Sequence, residues 1–193
     1  MPYKPSAMLT LVRRAHGSQS RSGGRIPYWH HCAGVAELLA WAFERSGEIP
    51  EPVAYEDFHL AALGHDLYED TEVTRAEIID AFGPRVDELI EALTNRQGDD
   101  HQAAYHRQIA TGPEEARLIK LCDLIDNTLS VAEALPELGQ DWVKNTFLPI
   151  VSGMQTVVLA ATYPTFPVTG RVLGELLAYV STRLDHALQR DDA

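Results

Sequence analysis

The sequence is short of several things, and each shortage removes a class of protein. Two cysteines, Cys32 and Cys122, in 193 residues are too few for the disulfide framework of a small secreted domain. No apolar run approaches the roughly 20 residues that span a bilayer. The opening MPYKPSAMLTLVRRAHGSQ has neither an apolar h-region nor a small-residue cleavage site. A membrane or exported protein is therefore not expected; a cytoplasmic one with both thiols reduced is. Cations are scarce, with 16 Lys and Arg against 28 Asp and Glu, for a net charge of −12. Such a surface repels phosphate backbones, so no nucleic-acid partner is expected. A small anionic substrate is admissible only if something local and positive receives it. Strand-like alternation, internal repeats and low-complexity tracts are missing as well.

What is present reads as helix. Apolar residues make up 45% of the chain, enough for a real core in one domain. Helical spacing places apolar residues on one stripe over 4–16, 28–46, 54–69, 113–133, 141–161 and 169–189. Between them lie clear breaks: the Gly/Ser loop HGSQSRSGGRIP, the GEIPEP segment and the YPTFP turn. Thr74 and Glu77 form a capping-box pair that opens a short helix to Phe82. Gly83-Pro84 opens another to about residue 94. The expected architecture is all-α, with about eight or nine helices.

One segment conflicts with its own pattern. AALGHDLYEDT, residues 61–71, begins as a core helix and then places His65, Asp66, Glu69 and Asp70 within six residues. On a helix, His65 and Glu69 share one face, and Asp66 with Asp70 forms the next row. Carboxylates crowded at that spacing repel and resist burial without a positive partner. A divalent metal compensates at once, with neutral imidazole and carboxylate as ligands. A lone His-Asp pair is weak evidence, since a solvated acidic helix end looks the same. Two further segments add weight. His30-His31 opens the 28–46 helix, and Asp123 sits among Leu118, Ile119, Leu121, Cys122, Leu124 and Ile125, with Asn127 one turn on.

Four blocks, PYWHHCAGVAELL, AALGHDLYEDT, FGPRVDELIEALT and RLIKLCDLIDNTL, follow in order. Together they resemble the HD-domain hydrolases. Within these, the match is to the guanosine tetraphosphate hydrolase branch found in RelA/SpoT proteins and their small stand-alone relatives. The resemblance covers residues 8–131. It implies an HD-type helical bundle over 1–135; the stretch 136–193 carries no chemical cluster and is expected as a C-terminal helical extension packed on the same domain, as scaffold or as an oligomer contact. It implies metal ligation by His31, His65, Asp66 and Asp123, with Mn²⁺ as the cofactor, though the ligand types also suit zinc or iron. His31 rather than His30 matches, standing three residues after Tyr28.

The implied reaction is hydrolysis of the 3′-diphosphate of guanosine tetraphosphate or pentaphosphate, releasing pyrophosphate. Glu69 and Asp70 match a catalytic acidic pair; the plainer alternative makes them a helix cap and a partner of a ligand histidine. Asn127 matches a nucleotide contact, or else orients Asp123. Arg21 matches an arginine against the base, or else is a solvated loop residue. The partner is thus a small nucleotide, and a homo-oligomer is open. Cys32 and Cys122 read as small buried side chains, His101 and His106 as surface. The sequence departs from the branch at Cys32 (proline there), Gly64 (leucine), Ser22 (lysine) and the residue after Asp123. The changes spare the metal set and touch base recognition. Two rival readings follow: an HD-type phosphatase of another phosphorylated nucleotide, such as NADPH or a nucleoside monophosphate, or a nucleotide sensor without turnover.

Overall fold

The computed structural model describes residues 3–21, 23–96 and 102–190. Ser22 and His101, both singled out above, lie outside them. Among the described residues the protein is all helix, with a single isolated bridge pairing Ser20 and Pro27.

The helices are α1 (Lys4–His16), α2 (Trp29–Ser46), α3 (Pro52–Gly64), α4 (Leu67–Asp70), α5 (Arg75–Phe82) and α6 (Pro84–Leu93). They continue with α7 (Gln102–Thr111), α8 (Glu114–Glu133), α9 (Leu135–Leu138) and α10 (Gln140–Trp142). A π-helical turn over Val143–Phe147 leads into α11 (Leu148–Ala160), and α12 (Pro167–Arg190) closes the chain. The segments outnumber the eight or nine expected for four reasons. The four-residue helix α9 falls in the gap between the expected segments 113–133 and 141–161. Helix α7 lacks a strong apolar stripe: only Ile109 is buried on it. The 141–161 segment is divided by the π turn. The 54–69 segment is divided at His65-Asp66.

Helix α8 is the axis of the bundle. It packs on α2 and α12, while α3 packs on α2, α1 and α6. Helix α3 carries no one-sided stripe because it is enclosed: Leu60, Ala61, Ala62, Leu63 and Gly64 are all buried. The capping box at Thr74 is formed, with Thr74 Oγ1 accepting from Glu77 N and the Glu77 carboxylate accepting from Thr74 N. Helix α12 turns Leu173, Leu177, Val180, Leu184 and Leu188 inward. Its start is fixed by Glu48, whose carboxylate accepts from Val168 N, Thr169 N and Thr169 Oγ1 at 3.0, 2.8 and 2.9 Å. A carboxylate at a helix N-terminus satisfies donors that have no partner within the helix.

Gly64 has a packing reason. A Cβ there would lie 2.9 Å from Ile90 Cδ1, 3.2 Å from Leu67 Cδ1 and 3.3 Å from Met8 Sδ. These neighbours are core residues of α6, α4 and α1, so the glycine lets helices approach one another; it does not widen the space beside the ligands. Gly64→Leu is expected to overpack this junction and destabilise the fold by about 1–3 kcal/mol, read as a lowered midpoint in urea unfolding with an unchanged slope.

Candidate metal centre

Helices α2, α3 and α8 deliver the polar cluster. His31 is in the first turn of α2, His65 and Asp66 follow the end of α3, and Asp123 lies mid-way along α8. His31, His65 and Asp123 are 1%, 3% and 4% exposed. The Nε2 atoms of His31 and His65 stand 3.2 Å apart. Asp66 Oδ2 lies 3.4 Å from the first and 3.1 Å from the second; Asp123 Oδ1 lies 3.1 and 3.8 Å from them. One ligand atom each from His31, His65 and Asp66 falls within 4.8 Å of the others. His30 is exposed and stacks on Trp29 instead.

The single helix expected over 61–70 is corrected here. Helix α3 stops at Gly64, Asp66 takes φ −96° and ψ 0°, and α4 restarts with Asp70 N donating to Asp66 O at 3.0 Å. The cause is local: His65 Nδ1 donates to Ala62 O at 2.9 Å, and a side chain taking up backbone acceptors competes with the helix ladder. The break has a consequence. Sequence neighbours on an unbroken helix point about 100° apart, yet here His65 Nε2 and Asp66 Oδ2 point into the same space.

Hydrogen bonding fixes which ring nitrogens face the centre. Ala62 O and the Asp126 carboxylate only accept, so His65 Nδ1 and His31 Nδ1 carry hydrogen; the His31 Nδ1 to Asp126 Oδ2 distance is 2.7 Å. In the neutral rings both Nε2 atoms then present lone pairs to each other and to two carboxylate oxygens. Four converging acceptors repel unless a cation lies among them. The chemistry of this donor set fits a divalent metal ion.

Without an ion, protons must do the compensating. Burial disfavours charge on both imidazoles, but the surrounding carboxylates outweigh it: His31 is held well above its usual value and His65 is raised to about 9. Burial likewise works against the Asp66 and Asp123 charges and is overcome, by the two imidazoles for Asp66 and by Lys120 and both imidazoles for Asp123; both carboxyls lie well below their usual range. The carboxylates have further support. Tyr28 Oη donates to Asp66 Oδ2 at 2.8 Å. Lys120 Nζ sits 2.7 Å from Asp123 Oδ2, and Asn127 Nδ2 donates to Asp123 Oδ1 at 2.6 Å.

A cavity of ≈ 280 Å³ adjoins the cluster, at the small end for ligand sites. Its polar lining includes Asp66, Asp123, Glu69, Asp70 and Asn127. Leu124, Ile150, Val151 and Met154 give it an apolar wall, joined by Tyr105 and His106. Helix α11 thus contributes to the site, a role not foreseen for the stretch after residue 136. Glu69 Oε2 accepts from Asn95 N at 2.8 Å. Burial raises the pKa of Glu69 and of Asp70 from their ordinary values.

A family model described as HD domain matches residues 9–147. The chain belongs to the HD-domain family. Among curated relatives of this HD domain, GTP pyrophosphokinase rsh of Brucella ovis is 33% identical over 147 residues, 65% of this chain and 17% of the relative. Guanosine-3′,5′-bis(diphosphate) 3′-pyrophosphohydrolase of Aquifex aeolicus is 35% identical over 123 residues, 61% of this chain and 16% of the relative. The zebrafish (Danio rerio) pyrophosphohydrolase MESH1 is 30% identical over 114 residues, covering 58% of this chain and 59% of the relative. The chain therefore spans only part of each of these relatives. Among solved structures, a metazoan SpoT orthologue that hydrolyses ppGpp superposes with a TM-score of 0.71 at 20% identity, over 95% of this chain and 97% of that one. That similarity is one of fold. The lmo0812 protein of Listeria monocytogenes gives 0.55 at 26% identity, over 78% of this chain and 97% of that one.

Other residues of this HD protein fall as follows. Arg21 does not line the cavity; its side chain, 8% exposed, is turned onto Asp126. Lys120 is taken up by Asp123 and by the Tyr105 ring, 5.2 Å away. Cys32 and Cys122 are fully buried. His106 was expected at the surface but is half-buried in the cavity wall, close against Gly153. Its helix has no strong stripe, so nothing in the local pattern marked an inward face. Asp126 was missed altogether, although it stands in DLIDN, within an apolar helix, and is as anomalous there as Asp123.

The protonation pattern gives a signed expectation for the metal-stripped protein. Folded His65 holds its proton to about 9, whereas the unfolded side chain releases it near 6.5. The stability from that proton is complete below pH 6.5 and is lost as pH rises toward 9. In a chelator, the melting temperature should fall across this window. With a divalent ion added, the fall should be offset, because the metal binds the deprotonated ring. Thermal melts from pH 6 to 9.5 with and without chelator check this; a metal-free melting temperature that rose with pH would contradict it.

Proposed function

We propose that this HD protein is a metal-dependent phosphohydrolase that removes the 3′-diphosphate of guanosine tetraphosphate or pentaphosphate as pyrophosphate. The observation that carries the reading is the convergence of two imidazole Nε2 atoms and two carboxylate oxygens beside a cavity lined by Glu69 and Asp70. The names of the Aquifex and zebrafish relatives support the substrate. His31, His65, Asp66 and Asp123 would hold the ion, with Mn²⁺ as the proposed metal. When bound, such an ion supplies charge neutralisation and Lewis-acid activation.

The rest of the chemistry falls to the chain. Glu69 and Asp70 are within the cavity, and burial raises their affinity for a proton. A carboxylate tuned upward in this way accepts a proton from an attacking water more readily at neutral pH than an exposed one. Asn127 faces the cavity while holding Asp123 Oδ1, which suits both orienting that ligand and contacting the nucleotide. A base contact by Arg21, the role its sequence position suggests, requires it to leave Asp126. The apolar wall of Leu124, Ile150, Val151 and Met154 would receive the base and keep bulk water from the reacting phosphate.

One observation favours a second substrate class. Among the described residues, Lys120 is the only lysine or arginine lining the cavity, and Asp123 already engages it. A less highly charged phosphorylated nucleotide, handled by the same machinery, fits that electrostatic poverty. The reading places the protein in the cytoplasm; among the described residues no helix is long and apolar enough to cross a membrane. A homo-oligomer would use exposed apolar positions such as Leu159 and Tyr179.

Mn²⁺-loaded protein incubated with a panel of phosphorylated nucleotides decides the substrate. Pyrophosphate from guanosine tetraphosphate supports the first reading, orthophosphate from another nucleotide the second, and binding without products overturns both. Glu69→Gln should keep the metal and slow turnover roughly a hundredfold or more, the contribution of a general base. His65→Ala should lose metal and activity together. Full activity in Glu69→Gln removes that residue from the chemistry.

A further inference from the structure

A second carboxylate layer lies behind the ligands. Asp126 is one turn from Asp123 on α8, and its Oδ2 accepts from His31 Nδ1 at 2.7 Å. The same oxygen pairs with Arg21 NH1. Arg21 grips this point three ways more: NH2 donates to Asp126 O at 3.1 Å, Nε donates to Ser130 Oγ at 2.9 Å, and NH2 lies 3.5 Å from Asn127 Oδ1. The loop that presents Arg21 is itself braced. Arg21 N donates to Ile26 O at 2.9 Å, Gly24 N donates to Arg21 O at 2.8 Å, and Tyr28 N donates to Gln19 O at 2.9 Å. The Gln19 side chain reaches the other side of the site, donating to Asp70 O at 2.8 Å.

Space has been left for this carboxylate. A Cβ on Gly34, one turn along α2 from His31, would meet Asp126 Oδ1 at 2.6 Å. The glycine is helical and its φ is not positive, so backbone conformation does not require it. Room for Asp126 does.

We infer that Asp126 is the positioning residue for His31, and that Arg21 holds Asp126 in place. The carboxylate keeps hydrogen on Nδ1, which leaves the Nε2 lone pair for the ion and fixes the ring plane. Arg21 neutralises the added negative charge, so the centre gains an oriented ligand without a further net charge. This gives Arg21 a task in the resting protein different from base contact, and explains why its guanidinium is turned inward. The inference rests on the metal reading above.

Outer partners of ligand histidines are typically worth tenfold to a hundredfold in metal affinity. Asp126→Asn, Asp126→Ala and Gly34→Ala should therefore each weaken Mn²⁺ binding by roughly tenfold or more, with Asp126→Ala the most affected. Gly34→Ala is the safeguard against misfolding. It leaves every ligand and Asp126 in the chain, and alanine favours a helix over glycine. The readouts are titration calorimetry with Mn²⁺ and the Nδ1–H resonance of the His31 ring in protein loaded with diamagnetic Zn²⁺. In wild type this proton should be shifted downfield and protected from exchange by its bond to Asp126, and in Asp126→Ala both effects should be lost. Wild-type binding of Mn²⁺ with all three variants binding equally well overturns the positioning role alone. Wild type that binds no Mn²⁺ overturns the metal reading and this inference with it.

Discussion

Two buried imidazoles whose free nitrogens face each other, hemmed in by two carboxylate oxygens, are the constraint around which the rest is arranged. Left alone, two imidazole nitrogens 3.2 Å apart, each 3.1 to 3.8 Å from both carboxylate oxygens, repel. A buried cluster of this kind persists only with a cation, metal or proton, in its midst. The surrounding chain serves that requirement. Helix α3 breaks after Gly64 so that adjacent residues point the same way. Lys120 takes the Asp123 oxygen not aimed at the centre, while Asn127 and Tyr28 donate to the two carboxylate oxygens that face it. Helix α8 brings both Asp123 and Asp126 to the site from one rigid element.

The fold supplies what a charged cluster cannot supply for itself. The ligands come from three helices far apart in sequence, so their geometry depends on how closely those helices approach. Small residues at Ala61, Ala62, Gly64 and Gly34 permit that approach, and the apolar flanks of Asp123 keep it dry. The loop between α1 and α2 acts as a strap: Gln19 ties it to α4 and Arg21 to α8. One short segment thus links the acidic pair at 69–70 with the support of His31. In a chain of net charge −12, local positive potential comes from the centre itself and from a few paired cations, which narrows the anions it can receive.

The all-α fold and most helix limits were legible because the signals are local. The capping box at Thr74, the Gly-Pro starts and the long stripe of α12 each declare themselves within a few residues. Helix α7 was not legible, since its burial comes from neighbours rather than from its own pattern. Polar residues standing in apolar surroundings pointed to three segments as ligand carriers, and the resemblance to the HD-domain hydrolases singled out His31, His65, Asp66 and Asp123 within them. Asp126 satisfied the same test but matches no ligand position, because its role is a hydrogen bond to His31 that exists only once α2 and α8 are packed. The break at His65-Asp66 depends on a hydrogen bond between a side chain and Ala62 O, and spacing alone reports helix there. The inward turn of Arg21 and the cavity-facing His106 belong to tertiary contacts with α8 and α11 that no linear pattern encodes.

The central claim is that a single cation organises these four side chains. Anomalous diffraction at the manganese edge, from crystals grown with Mn²⁺, tests it most directly. The account predicts one peak per chain, within coordinating reach of His31 Nε2, His65 Nε2, Asp66 and Asp123. An empty centre with the two imidazoles still in mutual contact, or manganese bound only elsewhere, would contradict it.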